Sequence, residues 1–384
     1  MTNAYVAGVG QTKFGELWDK SLRDLMAEAG IAAIRDSGID KKTIGGVFVG
    51  NMSAGRYTGQ EHLGALAADC LGIHAEASRY EGACASGSIA FRNAYRAVKS
   101  GYMDAVLVIG AEKMTDVKTP EAVMTLAAAG DQEWEASIGL TFASLYALMA
   151  RRHMHEYGTT REQMALVSVN NHKNAAGNKY AQFPNKISVD DVLKSPVISS
   201  PLTVLDCSPI TDGAAATLIV SDKIKREFEK PVKILGSGQA SDALALHDRV
   251  SLTEILAIKM AAKNALDEAG LKITDMNFAE VHDCFSINEI IAIEDLGFCR
   301  KGEGGKFVES GTISLDGSIP VNTTGGLKAI GHPVGATGVR QIADIVRQIR
   351  GDSHNQLKGV KYGMNLNIGG SGATAVVNIF GGEE

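Results

Sequence analysis

An internal duplication constrains the fold of this chain more than any other feature. The start AYVAGVGQ (residues 4–11) and the later segment VKILGSGQ (232–239) are both β-type runs that end in glycines. A helical pattern follows each, and then a short apolar run, VFVG (47–50) in the first copy and FAEVH (278–282) in the second. Alternation of strands and helices in both copies predicts an α/β fold with sheets packed between helices.

The helices of the two copies have matching boundary signals. Polar residues that form capping boxes open each pattern, and glycine closes it. The predicted boundary residues are Ser21, Asp24 and Gly38 in the first copy, and Ser251, Glu254 and Gly270 in the second. Corresponding residues lie 228 to 232 positions apart. Such a constant offset indicates two related halves.

Both copies end in small residues followed by an apolar run suited to a buried strand, DGAAATLIVSD (212–222) and GGSGATAVVNIF (369–380). We therefore predict an N-terminal half over residues 1–225 and a C-terminal half over 231–384. Residues 118–205 have no counterpart in the second half. An inserted segment of this length in an enzyme commonly builds the binding site, although a purely structural excursion is the alternative.

Composition excludes several classes of function. The chain has 384 residues, of which 45% are hydrophobic and 21% charged, and a net charge of −6. That acidic balance is unsuited to binding a nucleic acid backbone.

The sequence contains neither an apolar run long enough to span a bilayer nor a leader pattern, so we expect a cytoplasmic protein with no membrane partner. The five cysteines form no C-x-x-C pair, so we predict no metal site and no disulfide framework.

Cys84 is the first candidate for chemistry. It lies in EGACASGSIAFRNAYRAV, where a β-type run reaches small residues and then a helix that we expect to continue to about Lys99. A thiol at a helix N-terminus faces the positive end of the helix dipole, which favours the nucleophilic thiolate. A buried structural cysteine is the competing interpretation.

Two further segments carry candidate acid–base groups. His332 lies in NTTGGLKAIGHPVGATG, a glycine-rich turn before another predicted helix, and a histidine there can accept a proton at neutral pH. Cys284 lies in VHDCFSINEI at the end of a predicted strand, beside His282. Strand ends are where ligands bind in α/β folds. A loop histidine and a buried cysteine remain the alternatives.

Together, ACASG, HDCF, GHPVGATG and NIGGSGAT resemble the motifs of the thiolase superfamily across nearly the whole chain. The HDCF motif and DCSPITDGAAA are most similar to the archaeal and sterol carrier protein-type thiolases. The resemblance implies the thiolase fold, with two βαβαβαββ halves in five αβαβα layers and an inserted loop domain. In commoner thiolases a second catalytic cysteine lies in a late C-x-G-G-G motif, whose place Asn367 occupies here.

The resemblance also implies the roles of individual residues. Cys84 is the nucleophile, His332 the base that activates it, and Cys284 the acid/base that replaces the missing late cysteine. Two sets of hydrogen-bond donors stabilise the thioester oxyanions. The donors are the backbone N–H groups of Cys84 and Gly369 for the acyl-enzyme, and His332 with His282 for the enolate. His282 stands where the commoner form has Asn.

The implied reaction is the condensation of two acetyl-CoA molecules to acetoacetyl-CoA and CoA, and its reversal, through an acyl-cysteine intermediate. CoA is a substrate and product, and no cofactor is implied. In this family CoA lies against the inserted segment, so His155 and Ser208 are expected contacts. Asn322 and Gly326 are expected to shape the turn that carries His332, although simple turn residues are as good an interpretation.

Three other functions compete. A thiolase for longer 3-oxoacyl chains has the same motifs. A decarboxylating 3-oxoacyl synthase pairs its cysteine with two His, or with His and Asn, and Cys284 argues against it. A catalytically idle scaffold subunit usually lacks the nucleophile or the GHP histidine, and both are present here.

The resemblance further implies a homodimer or homotetramer. The archaeal-type members suggest a complex with 3-hydroxy-3-methylglutaryl-CoA synthase through a small OB-fold, zinc-ribbon protein. Such an enzyme would feed mevalonate synthesis.

Overall fold

The computed structural model describes residues 2–382. Its eleven strands within that range are β1 Ala4–Gln11, β2 Gly46–Gly50, β3 Glu76–Tyr80, β4 Ala105–Glu112, β5 Val197–Ser199, β6 Leu202–Thr203, β7 Gly213–Ser221, β8 Val232–Ser241, β9 Phe278–Glu280, β10 Tyr362–Gly369 and β11 Thr374–Gly381.

The thirteen α-helices in the same described range are α1 Leu22–Ser37, α2 Ala54–Tyr57, α3 Leu63–Leu71, α4 Ser86–Lys99, α5 Thr119–Ala127, α6 Phe142–Tyr157, α7 Arg161–Ala175, α8 Val189–Lys194, α9 Leu256–Ala269, α10 Ser286–Leu296, α11 Gly304–Glu309, α12 Gly326–Ile330 and α13 Val334–Arg350.

The duplication is visible in the strand order. Strands of the first half are arranged β3-β2-β4-β7-β1, and those of the second half are arranged β8-β11-β10-β9. In each half, the first strand (β1 or β8) lies at the edge that faces the other half, and the last strand (β7 or β11) lies next to it. The counterpart of β3 is reduced to a single parallel bridge between Ala279 and Val321. The two halves join edge to edge where Tyr5 pairs with Lys233 and Val6 with Val232, so the nine strands form one continuous sheet.

Helices cover the strands in five layers. Helices α1 and α3 pack on the outer face of the first half, and α9 covers β8 and β11 of the second half. Between the halves lie α4 and α13, which pack against each other. Helix α13 contacts β4 and β7 on one side and β10 on the other. This arrangement confirms the expected α/β fold with its αβαβα layers.

The paired glycines explain why the two halves resemble each other in sequence. A Cβ atom on Gly10 would lie 2.2 Å from the Ala29 carbonyl oxygen of α1, and one on Gly238 would lie 2.0 Å from the Ala261 oxygen of α9. Only a residue without a side chain lets each helix lie so close to its strand.

The predicted helix boundaries are correct in the first half and partly wrong in the second. Ser21 and Asp24 form a capping box, and Gly38 ends α1 in the left-handed conformation. Gly270 ends α9 in the same way. Helix α9, however, begins only at Leu256, so Ser251 and Glu254 do not cap it.

The N-terminus of α9 is capped from a distance. The Asp295 carboxylate accepts from the Ile255 N–H at 2.7 Å, and the Asp242 carboxylate accepts from the Leu256 N–H at 3.0 Å. These tertiary hydrogen bonds satisfy the free N–H groups that a local cap would otherwise bind.

Among the helices of residues 2–382, none combines the length and the apolar character needed to cross a membrane.

The strand glycines give a test of the packing. We expect Gly238→Ala to lower the free energy of unfolding by about 2 kcal/mol or more, because the new methyl group meets rigid helix backbone. Gly15→Ala is the matched control, since a Cβ atom there meets nothing within 4 Å. Denaturant unfolding followed by circular dichroism compares the two variants. Equal stability of both would contradict this packing argument.

Candidate active site

Three side chains from distant parts of the chain meet in the interior. The Cys84 sulfur and one ring nitrogen each of His282 and His332 all lie within 4.8 Å of one another. Cys84 belongs to a short 3-10 turn that leads into α4, His282 follows β9, and His332 lies between α12 and α13. All three are buried. The structure thus brings together the predicted nucleophile and both predicted histidines.

The turn around Cys84 has a distinctive backbone. Ala83 has φ +53°, in the left-handed region. The Ser86 hydroxyl donates to the Ala83 carbonyl at 2.6 Å and accepts from the Gly82 N–H at 3.0 Å. These two hydrogen bonds hold the turn closed and fix the thiol at the start of α4, as predicted from the sequence.

The tautomer of His332 follows from its neighbour Thr337. The Thr337 hydroxyl donates its only proton to the Pro333 carbonyl at 3.1 Å. The His332 Nδ1 atom lies 2.7 Å from the same hydroxyl, and we assign the ring proton to Nδ1, which can donate to it. This leaves the His332 Nε2 atom unprotonated, with a lone pair that can accept a proton.

His282 has the opposite tautomer. Asn367 donates through Nδ2 to the Cys84 carbonyl at 3.0 Å, which fixes the orientation of its amide. The same Nδ2 lies 3.2 Å from His282 Nδ1, so that nitrogen accepts and the proton lies on Nε2. Among the described residues, His282 Nε2 has no hydrogen-bond partner. An N–H donor is thus held ready beside Cys84.

Burial keeps the groups of the site neutral. It raises the pKa of the Cys84 thiol to about 12, against a hydrogen bond from the Gly370 N–H that lowers the pKa. Burial, assisted by the positive charge of Arg340, lowers the pKa of His332 to about 3 and that of His282 well below its usual range. The resting site holds a neutral thiol and two neutral imidazoles.

The second cysteine, Cys284, lies in the same region, after β9 and two residues before α10. Burial raises the pKa of its thiol well above the ordinary range, and the neighbouring Cys84 raises it further. Its carbonyl accepts from the Ser208 N–H at 2.8 Å. The two thiols are therefore close enough to influence each other electrostatically.

A cavity of about 770 Å³ adjoins the site, and Ser208, an expected CoA contact, lines it. Phe285, which follows Cys284, contributes to its wall, and Leu126 and Ile210 line it while packing in the same apolar cluster as Cys84. Much of the wall comes from the inserted segment of residues 118–205, including Phe142 and Phe183. The inserted segment thus builds most of the wall of this cavity.

His155, the other expected CoA contact, does not line this cavity. It is exposed on α6. His153, two residues earlier, is buried and its Nε2 lies 3.0 Å from the Glu294 carboxylate. Residues two apart on a helix face nearly opposite sides, so burial of His153 turns His155 outward.

Gly369 and the predicted turn residues lie near the site. A Cβ atom on Gly369 would lie 2.4 Å from the Gly82 carbonyl oxygen, so the end of β10 runs against the Cys84 turn. It is the next residue, Gly370, whose N–H reaches the Cys84 sulfur. Asn322 has φ +52° and accepts from the Val281 N–H at 2.9 Å, which links the His332 side of the site to the HDCF segment.

Several residues of the site could not be identified from the sequence. Thr337 follows His332 by five residues and Gly370 follows Gly369 by one, but their roles depend on three-dimensional contacts. Tyr146 carried no local signal. Its side chain is fully buried, it interacts electrostatically with both cysteines, and its hydroxyl donates to the Gly370 carbonyl at 3.2 Å.

Comparisons with known proteins agree with this geometry. The thiolase N-terminal domain profile matches residues 4–223, and the thiolase C-terminal domain-like profile matches residues 238–382. An acetyl-CoA acetyltransferase of Methanothermobacter thermautotrophicus is 53% identical over 99% of this chain and 100% of its own length. Sterol carrier protein 2 of Bos taurus is 34% identical over 97% of this chain and 71% of its own length.

A solved structure, the Ltp2-ChsH2(DUF35) aldolase, superposes with a TM-score of 0.86 at 29% identity, covering 99% of this chain and 98% of that chain. The family profiles together span almost the whole sequence, and the buried Cys84, His332 and Cys284 lie in the motifs that suggested the resemblance. The chain belongs to the thiolase family.

Proposed function

We propose that this acyltransferase condenses two acetyl-CoA molecules to acetoacetyl-CoA and CoA, and catalyses the reverse thiolysis. The convergence of Cys84, His282 and His332, with the Cys284 thiol close enough to interact electrostatically with Cys84, carries the proposal. The archaeal relative named acetyl-CoA acetyltransferase supports the choice of substrate.

In the first half-reaction, the Cys84 sulfur attacks the thioester carbonyl of acetyl-CoA and the thiol proton passes to His332 Nε2. The tetrahedral intermediate collapses, the bond to the CoA sulfur breaks, and Cys284 gives its proton to the departing CoA thiolate. The products are acetyl-Cys84, free CoA, a Cys284 thiolate and a protonated His332. Covalent capture divides one difficult step into two.

In the second half-reaction, the Cys284 thiolate removes a proton from the α-carbon of another acetyl-CoA. The carbanion attacks the acetyl group on Cys84, the carbon–sulfur bond breaks, and His332 returns its proton to the Cys84 sulfur. Every proton is thereby restored to its starting position. These steps move only protons and an acyl group, so the proposal requires no metal or redox cofactor.

The two histidines supply donors for the enolate oxygen. His282 Nε2 carries a proton and has no partner among the described residues. His332 Nε2 becomes a donor once it has taken the Cys84 proton. For the acyl oxyanion, we propose the backbone N–H groups of Cys84 and Gly369. Each such donor is typically worth about 100-fold in rate.

For the cellular setting, we propose a cytoplasmic homo-oligomer, dimeric or tetrameric, that supplies acetoacetyl-CoA to mevalonate synthesis. A stable complex with 3-hydroxy-3-methylglutaryl-CoA synthase through a small OB-fold, zinc-ribbon protein would draw the unfavourable condensation forward by removing its product. The structural neighbour that carries DUF35 in its name supports a proposal of a bound partner.

The two cysteines have separable roles. We expect Cys84→Ala and Cys284→Ala each to lower the rate of acetoacetyl-CoA thiolysis by at least about 10³-fold. Only Cys284→Ala should still be acylated by acetyl-CoA, because it retains the nucleophile and its base. Steady-state assays and intact-protein mass spectrometry measure the two effects. Cys70→Ala, which changes a half-buried thiol on α3, is the control and should keep full activity.

If the wild type is neither acylated nor active with acetoacetyl-CoA or longer 3-oxoacyl-CoAs, the proposed function is wrong and an idle scaffold subunit remains. Activity only with the longer substrates would instead assign a longer-chain thiolase.

The neutral resting state of Cys84 and His332 predicts how the reactivity of Cys84 depends on pH. The pKa of Cys84 is raised to about 12, so its thiolate fraction should grow about tenfold per pH unit below that value. Alkylation of Cys84 by iodoacetamide, followed by peptide mass spectrometry in the Cys284→Ala variant, should therefore accelerate steadily from pH 6 to 9. A small free thiol in the same mixture calibrates the reagent. A pH-independent plateau between pH 6 and 8 would show a resting thiolate–imidazolium pair instead.

The proposed complex is tested with tagged protein in an extract of its native cells. Affinity purification followed by size-exclusion chromatography should recover a synthase and a small zinc-containing protein at a fixed ratio. Elution of the chain with no such partners would end this part of the proposal, without affecting the acyl-transfer chemistry.

A further inference from the structure

Tyr146 lies at the centre of the site, although it belongs to the inserted segment. It is on α6, its ring is fully buried, and it stacks on Phe285 of the HDCF motif with the ring centroids 4.6 Å apart and an interplanar angle of 26°. Its aromatic ring therefore fixes the residue that follows Cys284.

The Tyr146 hydroxyl lies between the two cysteines. It donates to the Gly370 carbonyl at 3.2 Å, and the N–H of Gly370 reaches the Cys84 sulfur. The same hydroxyl also interacts with the Cys284 thiol as a hydrogen-bonding partner that lowers its pKa. One O–H group is thus shared between the peptide that supports the nucleophile and the sulfur of the acid/base.

We infer that Tyr146 is a positioning residue for the acid/base step: its O–H turns from the Gly370 carbonyl to the Cys284 sulfur when that sulfur becomes a thiolate. Only the hydrogen moves, by rotation about the C–O bond. A neutral thiol is a weak acceptor, whereas hydrogen bonds to ionised groups are about twice as strong as neutral ones. The inference rests on the acid/base role proposed for Cys284.

The surroundings keep Tyr146 a donor rather than a base. Burial raises its pKa well above the ordinary value, so the hydroxyl stays protonated. The buried guanidinium of Arg249, which donates to the Ser371 carbonyl at 2.6 Å and to its hydroxyl at 3.0 Å, acts in the opposite direction and lowers that pKa. A cation beside a phenol makes its O–H a stronger hydrogen-bond donor.

The test separates the two half-reactions in Tyr146→Phe, which keeps the ring and its stacking. Acetylation of Cys84 by acetyl-CoA should stay within about twofold of wild type. Exchange of the acetyl-CoA α-protons with deuterated water should slow by about 10-fold to 100-fold, the value of one hydrogen bond to a charged group. The pH at which exchange rises should move upward by about one unit, because loss of the donor raises the pKa of Cys284.

Tyr95→Phe is the matched control. That tyrosine is also buried and its hydroxyl donates to the Glu268 carboxylate at 2.9 Å, but it lies on α4 near Lys99, remote from the cysteines. It should leave both half-reactions unchanged. As a second variant, site-specific 3-fluorotyrosine at position 146 lowers the phenol pKa with little change in size, and it should shift the exchange profile to lower pH.

Normal exchange and an unshifted profile in Tyr146→Phe would overturn the inference while leaving the thiolase proposal intact. Equal slowing of acetylation and exchange would also overturn it, since Tyr146 would then only support the Gly370 peptide. If Tyr146→Phe fails to fold, the fluorotyrosine profile decides: no shift overturns the inference. Exchange that persists in Cys284→Ala would instead refute the proposed acid/base itself.

Discussion

The close approach of the two central helices is the contact on which the site depends. A Cβ atom on Gly87 of α4 would lie 2.6 Å from the Gly335 carbonyl oxygen of α13, and one on Gly338 would lie 2.6 Å from the Ser88 nitrogen. Helix α4 begins just after Cys84, and α13 begins just after His332. Glycines at the crossing let the helix N-termini converge, so packing between the halves places Cys84 beside His332.

The two histidines differ in function because of what binds their other ring nitrogens. Thr337 accepts from His332 Nδ1, which leaves Nε2 basic, whereas Asn367 donates to His282 Nδ1, which places the proton on Nε2. Asn367 stands where the commoner thiolases have a catalytic cysteine. Its amide instead ties His282 to the Cys84 carbonyl. In the proposed mechanism Cys284 is the acid/base, which leaves position 367 free to set the His282 tautomer.

The sequence predicted the repeated architecture because both copies keep glycine at the same place. Gly10 and Gly238 are each needed because a helix packs closely against the strand there. Which motifs meet was implied only by their resemblance to thiolase motifs, since the local patterns place Cys84 and His332 before helices without bringing those helices together. Prediction failed where tertiary contacts override local patterns, as at Ser251, whose expected capping role is taken by distant carboxylates. The sequence could not identify Tyr146, because an aromatic residue of the active site and one that only packs in the core look the same in the pattern of an amphipathic helix.

Burial of the site dictates the order of chemical events. With the pKa of Cys84 at about 12, forming its thiolate alone at pH 7 costs about 7 kcal/mol, and protonating His332, with its pKa at about 3, costs about 5 kcal/mol. Neither charge is accessible by itself, but opposite charges in contact attract strongly in a dry site. In the proposed mechanism, proton transfer to His332 therefore accompanies attack on the thioester. Burial disfavours a thiolate in the resting site, and we propose that the charged pair forms when substrate is bound.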